Sequence, residues 1–61
     1  MTVVYLKNRS QAVRLRNALI SAGHHAVKRI IRVGDRFQLI TDAPIEAVET
    51  IATGMKITVQ Q

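Results

Sequence analysis

Six side chains carry most of the chemistry this sequence offers: Tyr5, Lys7, Lys28, Arg32, Arg36 and Lys56. Five cations and one phenol ring do not make a proton-transfer centre. They neutralise phosphates or carboxylates, and the ring offers a surface on which a nucleobase stacks. The charge balance points the same way, with nine Lys and Arg against four Asp and Glu in 61 residues, a net charge of +5. It is unevenly spread, since no acid precedes Asp35 while Asp42, Glu46 and Glu49 all follow it. Six of the nine bases are Arg, whose planar fork suits bidentate contact with phosphate or carboxylate.

Other chemistry fails on residue type or spacing. There is no cysteine, which removes disulfides, thiolate metal sites and thiol nucleophiles. His24 and His25 are adjacent, and neighbouring loop residues rarely turn both rings to one ion. Asp42 reads as a helix cap and Glu46 as a carboxylate favoured by the positive end of that helix. Ser10 and Ser21 have no His-and-acid arrangement to activate them, and Gly23, Gly34 and Gly54 are isolated turn glycines rather than a phosphate loop. The expectation is a binding protein, not an enzyme, with no cofactor and no metal.

These residues need elements to position them. A chain this short is expected to be a single compact domain over residues 1–61, with one marginal core. Thr2–Lys7 is a β-branched and aromatic run, predicted as a strand. Asn8 or Ser10 then caps a helix over Gln11–Ala22, with Ala12, Leu15, Leu19 and Ala22 at helical spacing and Gly23 as its C-terminal stop. Ala26–Val33 and Arg36–Thr41 read as a hairpin about Gly34-Asp35. Asp42 and Pro44 open a second helix closed by Gly54, and Lys56–Gln60 reads as a last strand. The order βαββαβ predicts an α+β, ferredoxin-like fold, a four-stranded antiparallel sheet with two helices on one face.

Strand alternation then sorts the residues by face. Val4, Leu6, Val27, Ile31, Val33, Phe37, Leu39, Ile57 and Val59 suit the core, with Arg29 an awkward member of the second strand. A two-residue turn at Gly34-Asp35 would pair Val33 with Arg36 and break this pattern. The pattern is preferred here, with a bulge or odd loop pairing Val33 with Phe37. The open face then carries Lys7, Lys28, Arg32, Arg36 and Lys56 with Tyr5, Val3, Ile30 and Ile40.

This arrangement is similar in topology to the RNA-recognition-motif family, which stacks bases on its first and third strands. Tyr5 stands where the first-strand aromatic would be. The third strand reads Arg36-Phe37-Gln38-Leu39, without the family's glycine and aromatic signature, so topology alone is shared. The helix-to-strand run Ala12, Leu15, Leu19, Ala22-Gly23, Ala26, Val27 also resembles glycan-binding SPOR and amino-acid-binding ACT modules, and implies fold rather than ligand.

The expected function is nucleic-acid binding through the basic open face, with Tyr5 stacking. The alternative is a homodimeric protein-interaction module, an inhibitor or adaptor, whose basic surface docks on an acidic partner. Met1–Leu6 lacks the basic region and cleavage site of a secretory signal, and no apolar run reaches membrane-span length. The expected location is therefore cytoplasmic, with no membrane partner.

Overall fold

A computed structural model describes all residues, Met1–Gln61. Five elements follow in order: β1 (Thr2–Leu6), α1 (Arg9–Ser21), β2 (Ile31–Val33), β3 (Arg36–Thr41) and α2 (Ile45–Gly54). The architecture is α+β, with a three-stranded antiparallel sheet in the order β1-β3-β2.

Helix α1 begins because the Asn8 side chain accepts a hydrogen bond from the Gln11 backbone N–H at 2.8 Å. That satisfies one of the donors left unpaired in a first turn. Ser10 lies inside the helix and is not the cap. The helix ends in a Schellman arrangement: the Gly23 N–H donates to the Ile20 carbonyl and the His24 N–H to the Leu19 carbonyl, with Gly23 at φ +94°. Helix α2 ends the same way, but Lys56 takes the left-handed position at φ +59°. Gly54, the expected stop, is the last helical residue.

Asp42 does not cap α2. Its carboxylate accepts from the His25 backbone N–H at 2.8 Å, and Pro44 stands at the cap position with no side-chain bond. Thr41 assists by donating to the His25 carbonyl at 2.6 Å and accepting from the Ala43 N–H at 3.1 Å. Together these tie the loop after α1 to the entry of α2.

The core joins Val4, Leu6 and Leu39 of the sheet to Ala12, Leu15 and Leu19 of α1 and Val48 and Ala52 of α2. Ile30 and Ile57 flank it, with Phe37 and Val59 packed alongside. Both helices thus serve one face of the sheet, and the other face carries none.

The sheet departs from expectation at two places. The turn at Gly34-Asp35 pairs Val33 with Arg36, as its length requires, and Arg32 stands opposite Phe37. Gly34 has φ +64° and Asp35 has no positive φ, which fits a turn that needs glycine at its first central position. The hydrophobic pattern of β3 survives, since Leu39 is fully buried. The second strand inverts instead: Ile30 enters the core, and Ile31 and Val33 face outwards.

A bulge also interrupts the strand. Between the Ala26–Thr41 bridge and the Ile31–Gln38 pair, one chain advances five residues and the other three. Residues 27–30 absorb the excess, so the strand expected over Ala26–Val33 is regular only at Ile31–Val33.

The expected fourth strand is the second correction. Lys56 is part of the turn, and residues 57–60 pair with β1 through one bridge, Tyr5–Gln60, with N–H to carbonyl bonds of 2.7 and 3.0 Å. The pairing stops where β1 does, because at Lys7 the chain already turns towards the Asn8 cap. Ile57 and Val59 still point inwards as alternation required.

Candidate anion-binding cleft

The end of the sheet nearest the Gly34-Asp35 turn holds a cleft of about 390 Å³. It is lined by Lys7, Gln11, Arg36, Lys56, Thr58 and Gln60, with no hydrophobic residue and no acid. Each member arrives from a different piece of chain. Lys7 follows the end of β1, Arg36 begins β3, and Gln11 lies in the first turns of α1. Lys56 is presented by the left-handed turn after α2. Thr58 and Gln60 alternate with the buried Ile57 and half-buried Val59, and so point away from the core.

The electrostatics are simple. Lys7 and Lys56 make no ion pair, and Arg36 makes one exposed contact with Asp35 at 3.8 Å. That distance and exposure give a weak pair, which leaves the Arg36 guanidinium available. Three cations therefore converge with three neutral hydrogen-bonding side chains. Such a site offers charge-assisted donors to a phosphate or carboxylate and nothing that would abstract a proton.

Of the six residues expected from the sequence, the structure brings Lys7, Arg36 and Lys56 together here. Tyr5 lies on the open face beside Gln60, outside the lining, and its hydroxyl accepts from Gln38 Nε2 at 3.3 Å. Lys28 sits in the bulge. Arg32, opposite Phe37, lies on the helix-bearing side at the sheet edge, and its Nε donates to the Gly34 carbonyl at 2.9 Å. The open face is accordingly less basic than expected.

Two arginines of α1 are engaged within the fold. Arg16 Nη1 donates to the Lys28 carbonyl at 2.5 Å, and Arg9 Nη1 to the Ile30 carbonyl at 3.4 Å. The Arg9 guanidinium also lies 5.3 Å from the centre of the Phe37 ring, within cation–π range. These side chains clamp the bulged edge to the helix.

Gln11, Thr58 and Gln60 were not singled out in the sequence. Alternation with Ile57 and Val59 already turned Thr58 and Gln60 outwards, whereas nothing local places Gln11 against the sheet end. No group of three or more His, Asp or Glu side chains lies close enough to hold a metal ion, and no helix is long and apolar enough to cross a membrane. No protein-family model, curated protein or solved structure matches the chain.

Proposed function

We propose that the chain is a nucleic-acid-binding protein that holds the phosphate backbone in the cleft of Lys7, Arg36 and Lys56. The observation that carries this reading is the lining itself, three cations with no acid and no apolar residue. An apolar-lined pocket would suit a small molecule; this one suits a polyanion that brings no hydrophobic group. Contact through phosphates alone gives binding without base readout. Helix α1 is a poor groove-reading element, because Arg9 and Arg16 are bonded to the chain's own carbonyls. We also read the architecture as ferredoxin-like, with residues 57–60 as a rudimentary fourth strand beside β1. The Tyr5–Gln60 bridge supports that reading.

Three phosphate contacts set the expected salt dependence. For a single strand, log K against log salt should slope by about −2, at roughly −0.7 per contact. Fluorescence anisotropy of a labelled oligonucleotide measures it. Lys7→Ala and Arg36→Ala should each weaken binding and flatten the slope by about 0.7. Lys28→Ala and Arg32→Ala should leave both nearly unchanged. Equal losses from all four variants would mean diffuse attraction to a basic protein, and the cleft would not be the site. An acidic protein surface is the remaining ligand class for the same cations, and an absence of oligonucleotide binding at low salt would transfer the cleft to it.

A further inference from the structure

The positive charge gathered in the cleft does not continue across the sheet. The register gives the outward neighbours of Arg36 and Lys7: Val33 pairs with Arg36, Ile31 and Tyr5 with Gln38, and Val3 with Ile40. None of these neighbours is charged. On the turn side the Asp35 side chain is 91% exposed beside Arg36, where it repels a further phosphate. Arg9 is bonded to the Ile30 carbonyl and lies against the Phe37 ring, and Arg32 donates to the Gly34 carbonyl. Arg14, one turn beyond Gln11 on the surface of α1, is left as the cation placed to extend the site.

We infer, resting on the phosphate reading of the cleft and narrowing it, that the site selects the end of a single strand. Its ligand is a terminal phosphate monoester with the first phosphodiester behind it, in preference to an internal stretch of backbone.

Charge layout separates the two ligands. Proteins that hold internal single-stranded segments use a basic groove that tracks the backbone over several nucleotides. Such a segment needs favourable charge on its way in and on its way out, whereas an end needs it in one place. The charge count agrees. A terminal phosphate carries about −1.5 to −2 at neutral pH and the next diester adds one more, so about three negative charges meet the three cations within one nucleotide. An internal nucleotide brings only one charge per phosphate and leaves the trio under-neutralised. Size agrees too, since 390 Å³ lies near the lower limit of small-ligand pockets, room for one nucleotide-sized group and not a run of them.

The neutral lining suits the same ligand. A terminal phosphate offers three acceptor oxygens, one more than a diester leaves free, and Gln11, Thr58 and Gln60 stand between the cations to donate to them. The ligand also titrates where the cleft has nothing that does. The charged groups at the site are Lys7 after β1, Arg36 of β3 and Lys56 after α2, with Asp35 beside Arg36 and only the neutral Gln11 from α1. No histidine lines it: His24 and His25 follow α1, and His25 is bonded to Asp42 beyond the opposite end of β3. Protonation of the monoester is therefore what the affinity should register as pH changes.

The test is fluorescence anisotropy with internally labelled single strands of about ten nucleotides, alike in sequence and ending in a 5′-phosphate, a 3′-phosphate or hydroxyls alone. One phosphorylated strand should bind about tenfold tighter than the hydroxyl strand, the low end for one added charge-assisted hydrogen bond, and which one it is gives the polarity. That ratio should shrink towards one as pH falls from about 7.5 to about 5, through the second pKa of the monoester near 6. It is read on the parent protein, so it does not depend on any variant folding. Lys7→Ala and Arg36→Ala should abolish the preference with far-UV circular dichroism unchanged, and Lys28→Ala should keep it. Equal affinity for the three strands, with Lys7→Ala weakening all of them, would overturn end selection and leave the cleft as a phosphate site. A preference that survives both cleft variants, or a loss in Arg14→Ala as large as that in Lys7→Ala, would overturn it as well. Absence of binding by every strand at low salt would overturn both readings together.

Discussion

Lys56 is the residue where backbone preference and side-chain chemistry disagree. It holds the left-handed C-terminal position of α2 at φ +59°, where glycine is the usual occupant, and it is the only non-glycine residue with positive φ. The conformation costs about 1–2 kcal/mol for an L-residue. The ammonium group recovers part of that, about 0.3–1 kcal/mol, from the negative end of the helix. Lys56→Gly should therefore raise the unfolding free energy in urea by up to about 1 kcal/mol. It should also weaken oligonucleotide binding, as loss of one cleft cation requires. Strain retained beside a binding site is expected when the side chain is needed there. A clear loss of stability in this variant would mean that the lysine side chain holds the helix end, and its place in the cleft would then be incidental. Local chemistry explains what was legible at this scale. Gly23 read correctly and the first cap was narrowed to Asn8 or Ser10, because a cap is decided by a few neighbouring residues. Lys56 did not, because Gly54 is the stronger local stop signal, and although the helix ends on Gly54 the left-handed position falls two residues later.

Among the elements, β2 diverged furthest from its sequence. Its alternation put Val27, Ile31 and Val33 inwards, but of residues 27–33 only Ile30 reaches the core. An edge strand with one core contact is free to carry aliphatics on either face, and the two-residue turn fixed the register that the pattern could not. Arg29, which fitted the inward row poorly, was the sign of the inversion. The bulge before it exposes backbone carbonyls at a sheet edge, and Arg16 and Arg9 cover two of them. Arg16→Ala should thus speed amide exchange across residues 26–30, with little effect within β1. Unchanged protection there would show that the bulge holds itself and that Arg16 is free to meet a ligand. The first strand, both helices and β3 were legible because each buries a regular apolar stripe. The fourth strand was not, because its alternation is correct but β1 ends before a ladder can form beside it.

The whole molecule is small but complete in its burial. Its accessible surface is 3960 Å², close to the roughly 4,000 Å² expected of a folded monomer of 6.8 kDa. A single copy is therefore expected to fold by itself. The margin is narrow. At about 0.05–0.15 kcal/mol per residue the total stability is about 3–9 kcal/mol. Leu15 is fully buried in the centre of the core, and Leu15→Ala should cost about 2–5 kcal/mol, enough to unfold much of the population. A urea titration checks this. A loss below about 1 kcal/mol would show that the core collapses around the cavity and is looser than its burial indicates. The surface around this core divides by chemistry, with the cations of one sheet end in the cleft and aliphatics across the open face. Composition revealed the charge but not this division, which depends on the inverted β2 and on where residues 56–60 come to rest.

On the proposed reading, Lys7, Arg36 and Lys56 hold anions at one end of the sheet. Titrating isotope-labelled protein with an unlabelled oligonucleotide, and following the amide and side-chain resonances by NMR, reads this out residue by residue. The largest shifts should fall on Lys7, Gln11, Arg36, Lys56, Thr58 and Gln60, and should fade as salt is added. Shifts centred on Lys28, Arg32 and the α1 arginines, with the cleft residues silent, would contradict it.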